Sequence, residues 1–192
     1  PGKNSPLVRL GKFMAAVEQG NLFEADMHPV IQEMLRRIAS TMPQPLKFIL
    51  GHPQWFKKWL LKLMPEVSAT AGAMLKTTLA FTMAKGSEGS NVLPQEAWVM
   101  GNMRYSHHQG GEASIAAVRN LAAKYDIETV ITDDGIESGI TDYMGEAFNF
   151  IEKAVNTVFP DYKPVPYIMN AATDSRYFNR VSDNCIRFVP FL

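Results

Sequence analysis

The sequence predicts an α+β fold: an antiparallel β-sheet with helices on one face, a helical insertion, and then an α/β segment. Three observations lead there. Helical apolar spacing dominates residues 5–76. Strand-like runs and one amphipathic helix follow in β-β-α-β order over residues 77–133. An α-β-α-β order takes over from residue 141.

The elements follow in chain order. "SPLVRLGKFMAAVE" is a helix with Ser5 as N-cap and Pro6 at the first helical position, and Leu7, Leu10, Met14 and Val17 recur at its spacing. A second helix runs from Pro29 to Met42, with Ile31, Leu35 and Ile38 on one side and Pro43 to stop it. "PQWFKKWLLKLM" is a third. Trp55, Phe56, Trp59, Leu60, Leu63 and Met64 fill one half of its wheel, and Lys57, Lys58 and Lys62 lie on the other. A short Ala-rich helix follows around residues 68–76.

The strands "TTLAFTMAKG" (77–86) and "EAWVMGNMR" (96–104) flank a loop of turn formers, Gly86, Gly89, Ser90, Asn91 and Pro94. "GGEASIAAVRNLAAKY" is an amphipathic helix with Ile115, Val118, Leu121 and Ala122 as its stripe and Glu112 in its first turn. "IETVITD" (127–133) is a third strand, and Asp133–Asp134 a turn after it. "TDYMGEAFNFIEKAVNTVF" is a long helix capped by Thr141 or Asp142, with Phe148, Ile151 and Val155 on one face. "PVPYIMN" (164–170) and "CIRFVPF" (185–191) are strands with a helix starting at Asp174 or Ser175 between them, as in a parallel sheet. A boundary falls near Gly135–Thr141, which separates residues 1–138 from residues 139–192.

Composition narrows the function classes. The 192 residues carry 19 basic and 19 acidic side chains, so no general electrostatic pull on nucleic acid or membrane follows. Cys185 is the sole cysteine, which rules out an internal disulfide framework or thiolate metal cluster; in its apolar run it reads as a small buried hydrophobe. No apolar run reaches the ~20 residues of a membrane span. His28, His52, His107 and His108 show no ligand spacing and read as solvated loop residues. "GSEGS" lacks the G-K-[ST] of a phosphate loop, and no serine lies in G-x-S-x-G. The Trp/Lys helix has two sharper readings, a membrane-surface helix or an acyl-chain site; packing on neighbours with the lysines in water is preferred. At "NAATDSRYF" a strand end meets a helix start. That junction suits a carboxylate or oxyanion, with Arg176 as a clamp, and fits a capped helix with a surface Arg equally well.

Taken together, "GSNVLPQEAWVMGNMR" and "TDSRYFNRVSDNCIRFVP" resemble the dizinc amidohydrolases that include carboxypeptidase S, aminoacylase, glutamate carboxypeptidase and acetylornithine deacetylase, most of all the carboxypeptidase S-like branch. The resemblance covers nearly the whole chain. It implies a ferredoxin-like lid or dimerisation domain over residues 1–138 with a helical insertion at about 20–76. Residues 139–192 would be a C-terminal slice of the catalytic domain. It implies that Asn91 and Arg104 contact the oxyanion or the substrate carboxylate, and that Asp174, Ser175 and Arg176 lie at the substrate pocket, with a helix cap as the alternative reading of Asp174.

The family's two zinc ions and its general-base Glu are expected outside this chain, so no zinc is expected on it and no hydrolysis by it alone. The parent would cleave the amide bond of a peptide or N-acyl amino acid with a free carboxylate. A homodimer is the expected assembly, nucleic acid is not an expected partner, and a membrane is disfavoured. The compartment is left open, with the cytoplasm favoured. A non-catalytic dimerisation or interaction module is the alternative.

Overall fold

The computed structural model describes residues 4–133, 135, 138–169 and 171–189. Among these the elements are α1 (Pro6–Gln19), α2 (Pro29–Ala39), α3 (Leu46–Gly51), α4 (Lys57–Val67), α5 (Ala69–Ala73), β1 (Thr78–Lys85), β2 (Trp98–Arg104), α6 (Gly110–Ala123), α7 (Glu146–Val158) and α8 (Ser175–Phe178). The fold is α+β, and among the described residues its sheet is the antiparallel pair β1–β2. Also among them, no helix is long and apolar enough to cross a membrane.

The chain divides into two compact units, Pro1–Asp26 with Leu75–Asp134, and Met27–Met74 with Gly135–Leu192. In the first, alternation along the sheet turns Leu79, Phe81 and Met103 toward Phe13 and Val17 of α1 and Val118 and Ala122 of α6. Phe13 is the hinge of this core, edge-on to Phe81 at 5.8 Å and to Tyr125 at 6.4 Å. A bulge between Phe81 and Met83 shifts the register, so Phe81 pairs with Gly101 and Met83 with Met100. The chain leaves this unit at Asp26 and returns at Leu75, where the Asp26 N–H donates to the Leu75 carbonyl at 2.9 Å.

Below the sheet lies a buried knot of hydroxyls. Thr77 and Ser114 are fully buried and Ser106 nearly so. Thr77 Oγ1 lies 2.9 Å from Ser114 Oγ and 3.2 Å from Ser106 Oγ, and accepts from the Ser106 N–H at 2.9 Å. Ser114 Oγ donates to the Gly110 carbonyl at 2.6 Å. One side chain thus ties the start of β1, the segment after β2 and the first turns of α6.

In the second unit Ile31, Leu35, Leu60, Met64 and Ile168 are buried. Arg37 of α2 is its polar anchor. It donates to Glu33 at 2.9 Å, to Glu152 of α7, and to the Pro164 carbonyl at 3.1 Å. Partial burial works against its charge, but the two carboxylates outweigh that and raise its pKa above the ordinary guanidinium value.

Several expectations are corrected. Residues 127–131, 133, 164–169 and 185–189 have no regular secondary structure and join no ladder among the described residues; residues 134, 170, 190 and 191 of those runs lie outside the described residues. A β-branched apolar run becomes a strand only beside another strand, and the described ladder joins β1 to β2 alone. The cap of α7 is Gly145, not Thr141 or Asp142. Asp142 Oδ1 instead accepts from the Met144 N–H at 2.9 Å in the preceding turn, and Thr141 Oγ1 accepts from the Cys185 N–H at 3.0 Å. Cys185 is half-buried, off any strand. His28 caps α2, its Nδ1 accepting from the Val30 N–H at 3.3 Å, and His52 stacks on Trp55, so neither is a merely solvated loop residue.

Candidate functional site

Two stretches hold the residues expected to act, and they belong to different units. In the first unit, Arg104 is the last residue of β2 and pairs with Thr78. Met103 beside it packs inward, so alternation puts Arg104 and Asn102 on the opposite, uncovered face, where both are exposed. Trp98, Met100 and Met83 also remain 36–58% exposed.

Asn91 is exposed in the twelve-residue connection 86–97. That loop is braced by short local bonds, the Gly89 N–H donating to Ser87 Oγ at 3.3 Å and the Val92 N–H to the Gly89 carbonyl at 3.3 Å. It leaves the sheet where Lys85 faces Trp98, the end of the ladder away from Arg104. Six residues of extended chain, roughly 20 Å at about 3.3 Å each, separate the base of the loop from Arg104. The ladder itself does not bring Asn91 and Arg104 together.

In the second unit, Asp174, Ser175 and Arg176 surround the start of α8. Asp174 is the N-cap residue but makes no side-chain cap bond. The helix has four residues, too short for a sizeable macrodipole, so any anion binding there rests on side chains. Ser175 Oγ lies 2.6 Å from Thr173 Oγ1, and both accept from Arg187 Nε, at 2.6 and 2.8 Å. Arg187 Nη2 reaches Ser138 Oγ at 3.2 Å. Arg176 lies over the Tyr177 ring at 4.8 Å and donates to its hydroxyl at 2.8 Å, while its Nε is buried without a hydrogen-bond partner.

Arg187 is the residue that sequence reasoning passed over as an actor. It stood in the quoted "CIRFVP" run, but its hydroxyl partners at 138, 173 and 175 are brought to it only by folding. Its partners are three neutral hydroxyls, and no ion pair of Arg187 occurs among the described residues. Also among them, no group of three or more His, Cys, Asp or Glu side chains could hold a metal ion.

The fold and these side chains define an α+β chain with Arg104 exposed at a strand end and Arg176 and Arg187 among hydroxyls near α8. Comparison with known proteins gives that class its relatives. The chain is 26% identical over 162 residues to the human N-fatty-acyl-amino acid synthase/hydrolase PM20D1, covering 82% of this chain and 32% of that protein. It is 23% identical over 192 residues to PM20D1.1 of Danio rerio, covering 99% and 37%. It is 24% identical over 149 residues to the probable carboxypeptidase S-like 2 of Dictyostelium discoideum, covering 77% and 28%. The chain spans about a third of the length of the curated relatives it matches. No family model and no solved structure matches it. These relatives bear out the resemblance drawn from residues 89–104 and 173–190: the chain is similar to N-fatty-acyl-amino acid synthase/hydrolases and to a carboxypeptidase S-like protein.

Proposed function

We propose that this chain is part of a hydrolase that cleaves the amide bond of a peptide or N-acyl amino acid carrying a free carboxylate. The observation that carries the reading is Arg104. It is a guanidinium exposed at a strand end on an uncovered sheet face, in a chain whose relatives are named as N-fatty-acyl-amino acid hydrolases and a carboxypeptidase S-like protein. A guanidinium holds a carboxylate through two parallel hydrogen bonds, which is the recognition such a substrate needs.

In this proposal Arg104 binds the substrate carboxylate and Asn91 donates its amide N–H to the developing oxyanion. Because the base of the Asn91 loop and Arg104 lie at opposite ends of the ladder, their joint action calls for either the loop 86–97 reaching back over the sheet or a second protomer supplying one of them. The uncovered face with Met83, Trp98 and Met100 supports a homodimer. Asp174, Ser175 and Arg176 form a substrate-binding segment, steadied by Arg187. Residues 1–138 act as lid or dimerisation domain and residues 139–192 as part of the catalytic domain. Zinc, which the resemblance implies, would belong to the parent protein outside these residues, and the part of this chain is binding and orientation.

The test is turnover of N-acyl amino acids by the full-length parent, with the methyl ester of the same substrate as comparison. The reading expects the free acid to be strongly preferred and Arg104→Ala to erase that preference. Equal turnover of acid and ester by the unaltered enzyme would sink it.

A further inference from the structure

The Trp/Lys helix read as a packed element carries much of its aromatic surface in water. On α4, Leu60 and Met64 are buried, but Trp59 remains 45% exposed, and Trp55 just before the helix 68%. Leu46 and Phe48 of α3 are exposed as well. These side chains form a braced surface. Phe48 has its ring 6.2 Å from Trp55 and 6.0 Å from Phe56, and His52 stacks on Trp55 at 4.6 Å. With Leu60 and Met64 facing the core, a helical wheel puts Lys58, Trp59 and Lys62 on the outward side, Trp59 and Lys62 as i,i+3 neighbours.

The charge here is mostly of one sign. From Met34 to Pro65 there is no Asp or Glu, while Arg36, Arg37, Lys47, Lys57, Lys58 and Lys62 are present; the exposed Glu66, four residues after Lys62 on α4, is the carboxylate at the C-terminal edge of this run. Arg36 and Arg37 are engaged by Glu33, and Arg37 also by Glu152. Lys47, Lys58 and Lys62 are exposed beside the aromatic side chains. In a chain of zero net charge this is a local segregation, not a general basicity.

We propose that the α3–α4 surface docks on an anionic phospholipid membrane. Indole rings favour the headgroup boundary, where one end is apolar and the other wet, and leucine and phenylalanine bury in the acyl region beneath. Lysine ammoniums near such a surface are each attracted to anionic headgroups. An apolar face alone would fit many occupants, but the lysines without intervening carboxylates select a negative one. A nucleic acid is also negative, but it offers Leu46 nothing to bury in. This departs from the sequence reading, which disfavoured a membrane partner because the tryptophans were expected to be covered.

The test uses the 192-residue chain in a Trp98→Phe background, so that fluorescence reports Trp55 and Trp59 alone. Vesicles of phosphatidylcholine with about 30% phosphatidylserine should sediment the protein and shift its emission to the blue. Pure phosphatidylcholine should bind several-fold less, and about 0.5 M salt should weaken the anionic-vesicle binding several-fold. Trp55→Ala/Trp59→Ala, read by sedimentation, and Lys58→Glu/Lys62→Glu should each lower partitioning at least about tenfold, with far-ultraviolet dichroism unchanged. The proposal is overturned by no binding to the anionic vesicles, by equal binding to both compositions, or by either folded double variant partitioning like its parent. A tighter response to a single-stranded oligonucleotide than to the vesicles would overturn it too. The measurement needs no catalytic activity, so it stands apart from the hydrolase reading.

Discussion

Thr77 shows how much one side chain can organise. Its hydroxyl meets Ser106, 29 positions on, and Ser114, 37 positions on, inside a region closed to water. Thr77→Val keeps the shape and removes the hub, which strands the buried Ser106 N–H. Urea unfolding should show a loss of about 2 kcal/mol, with Thr77→Ser recovering most of it. Nothing in the sequence marks Thr77, because a threonine at a strand start looks like any β-branched residue. Arg104 was legible, since its place at the end of an alternating run after a turn-rich loop follows from local pattern. In the full-length parent, Arg104→Ala should lower kcat/KM by at least about 2 kcal/mol, because a charged contact loses its partner. An effect below about threefold in steady-state kinetics would remove Arg104 from its role.

Among the elements, those resting on local signals formed where expected. Pro6 opens α1, the alternation of "TLAFTMAK" and "WVMGNMR" yields β1 and β2, and the apolar stripe of α6 packs on Phe13 and Val17. The miscalled elements are those that need a distant partner. The run at 127–133 has the composition of a strand, but beyond the bond from the Ile127 N–H to the Ala122 carbonyl its described residues join no ladder. Hydrogen exchange should therefore find the amides of residues 128–131 exchanging far faster than the β1 amides that face β2, and equal protection would restore the third strand. The third helix, expected over residues 53–64, begins only at Lys57 as α4, and α3 ahead of it was not expected. The chain turns at Pro53, so α3 and α4 meet through Phe48, His52 and Trp55. Periodicity identified the apolar half of α4. It could not tell which apolar residues face the core and which face water, because that depends on where α2 and α5 lie.

For the whole molecule, the resemblance to carboxypeptidase S-like amidohydrolases was drawn from an ordered set of weak motifs, and the similarity to the curated relatives extends over 77–99% of the chain. Since the chain spans about a third of those proteins, its chemistry is tested on the full-length parent. A strong metal chelator should abolish hydrolysis of N-acyl amino acids there, and added zinc should restore it; turnover that persists in chelator would discard the zinc-dependent reading.

The sequence by itself determined the α+β class, the two strands and the turn-rich loop between them, the helices with strong start signals, and the resemblance to known amidohydrolases. Each of these depends on residues close together in the chain or on an ordered pattern along it. Only the tertiary structure decided that Thr77 is a hub, that Arg187 gathers hydroxyls from residues 138, 173 and 175, that the base of the Asn91 loop and Arg104 lie at opposite ends of one ladder, and that Trp55 and Trp59 face water. Those facts depend on which distant segments come to lie side by side, and periodicity carries no information about distance through space.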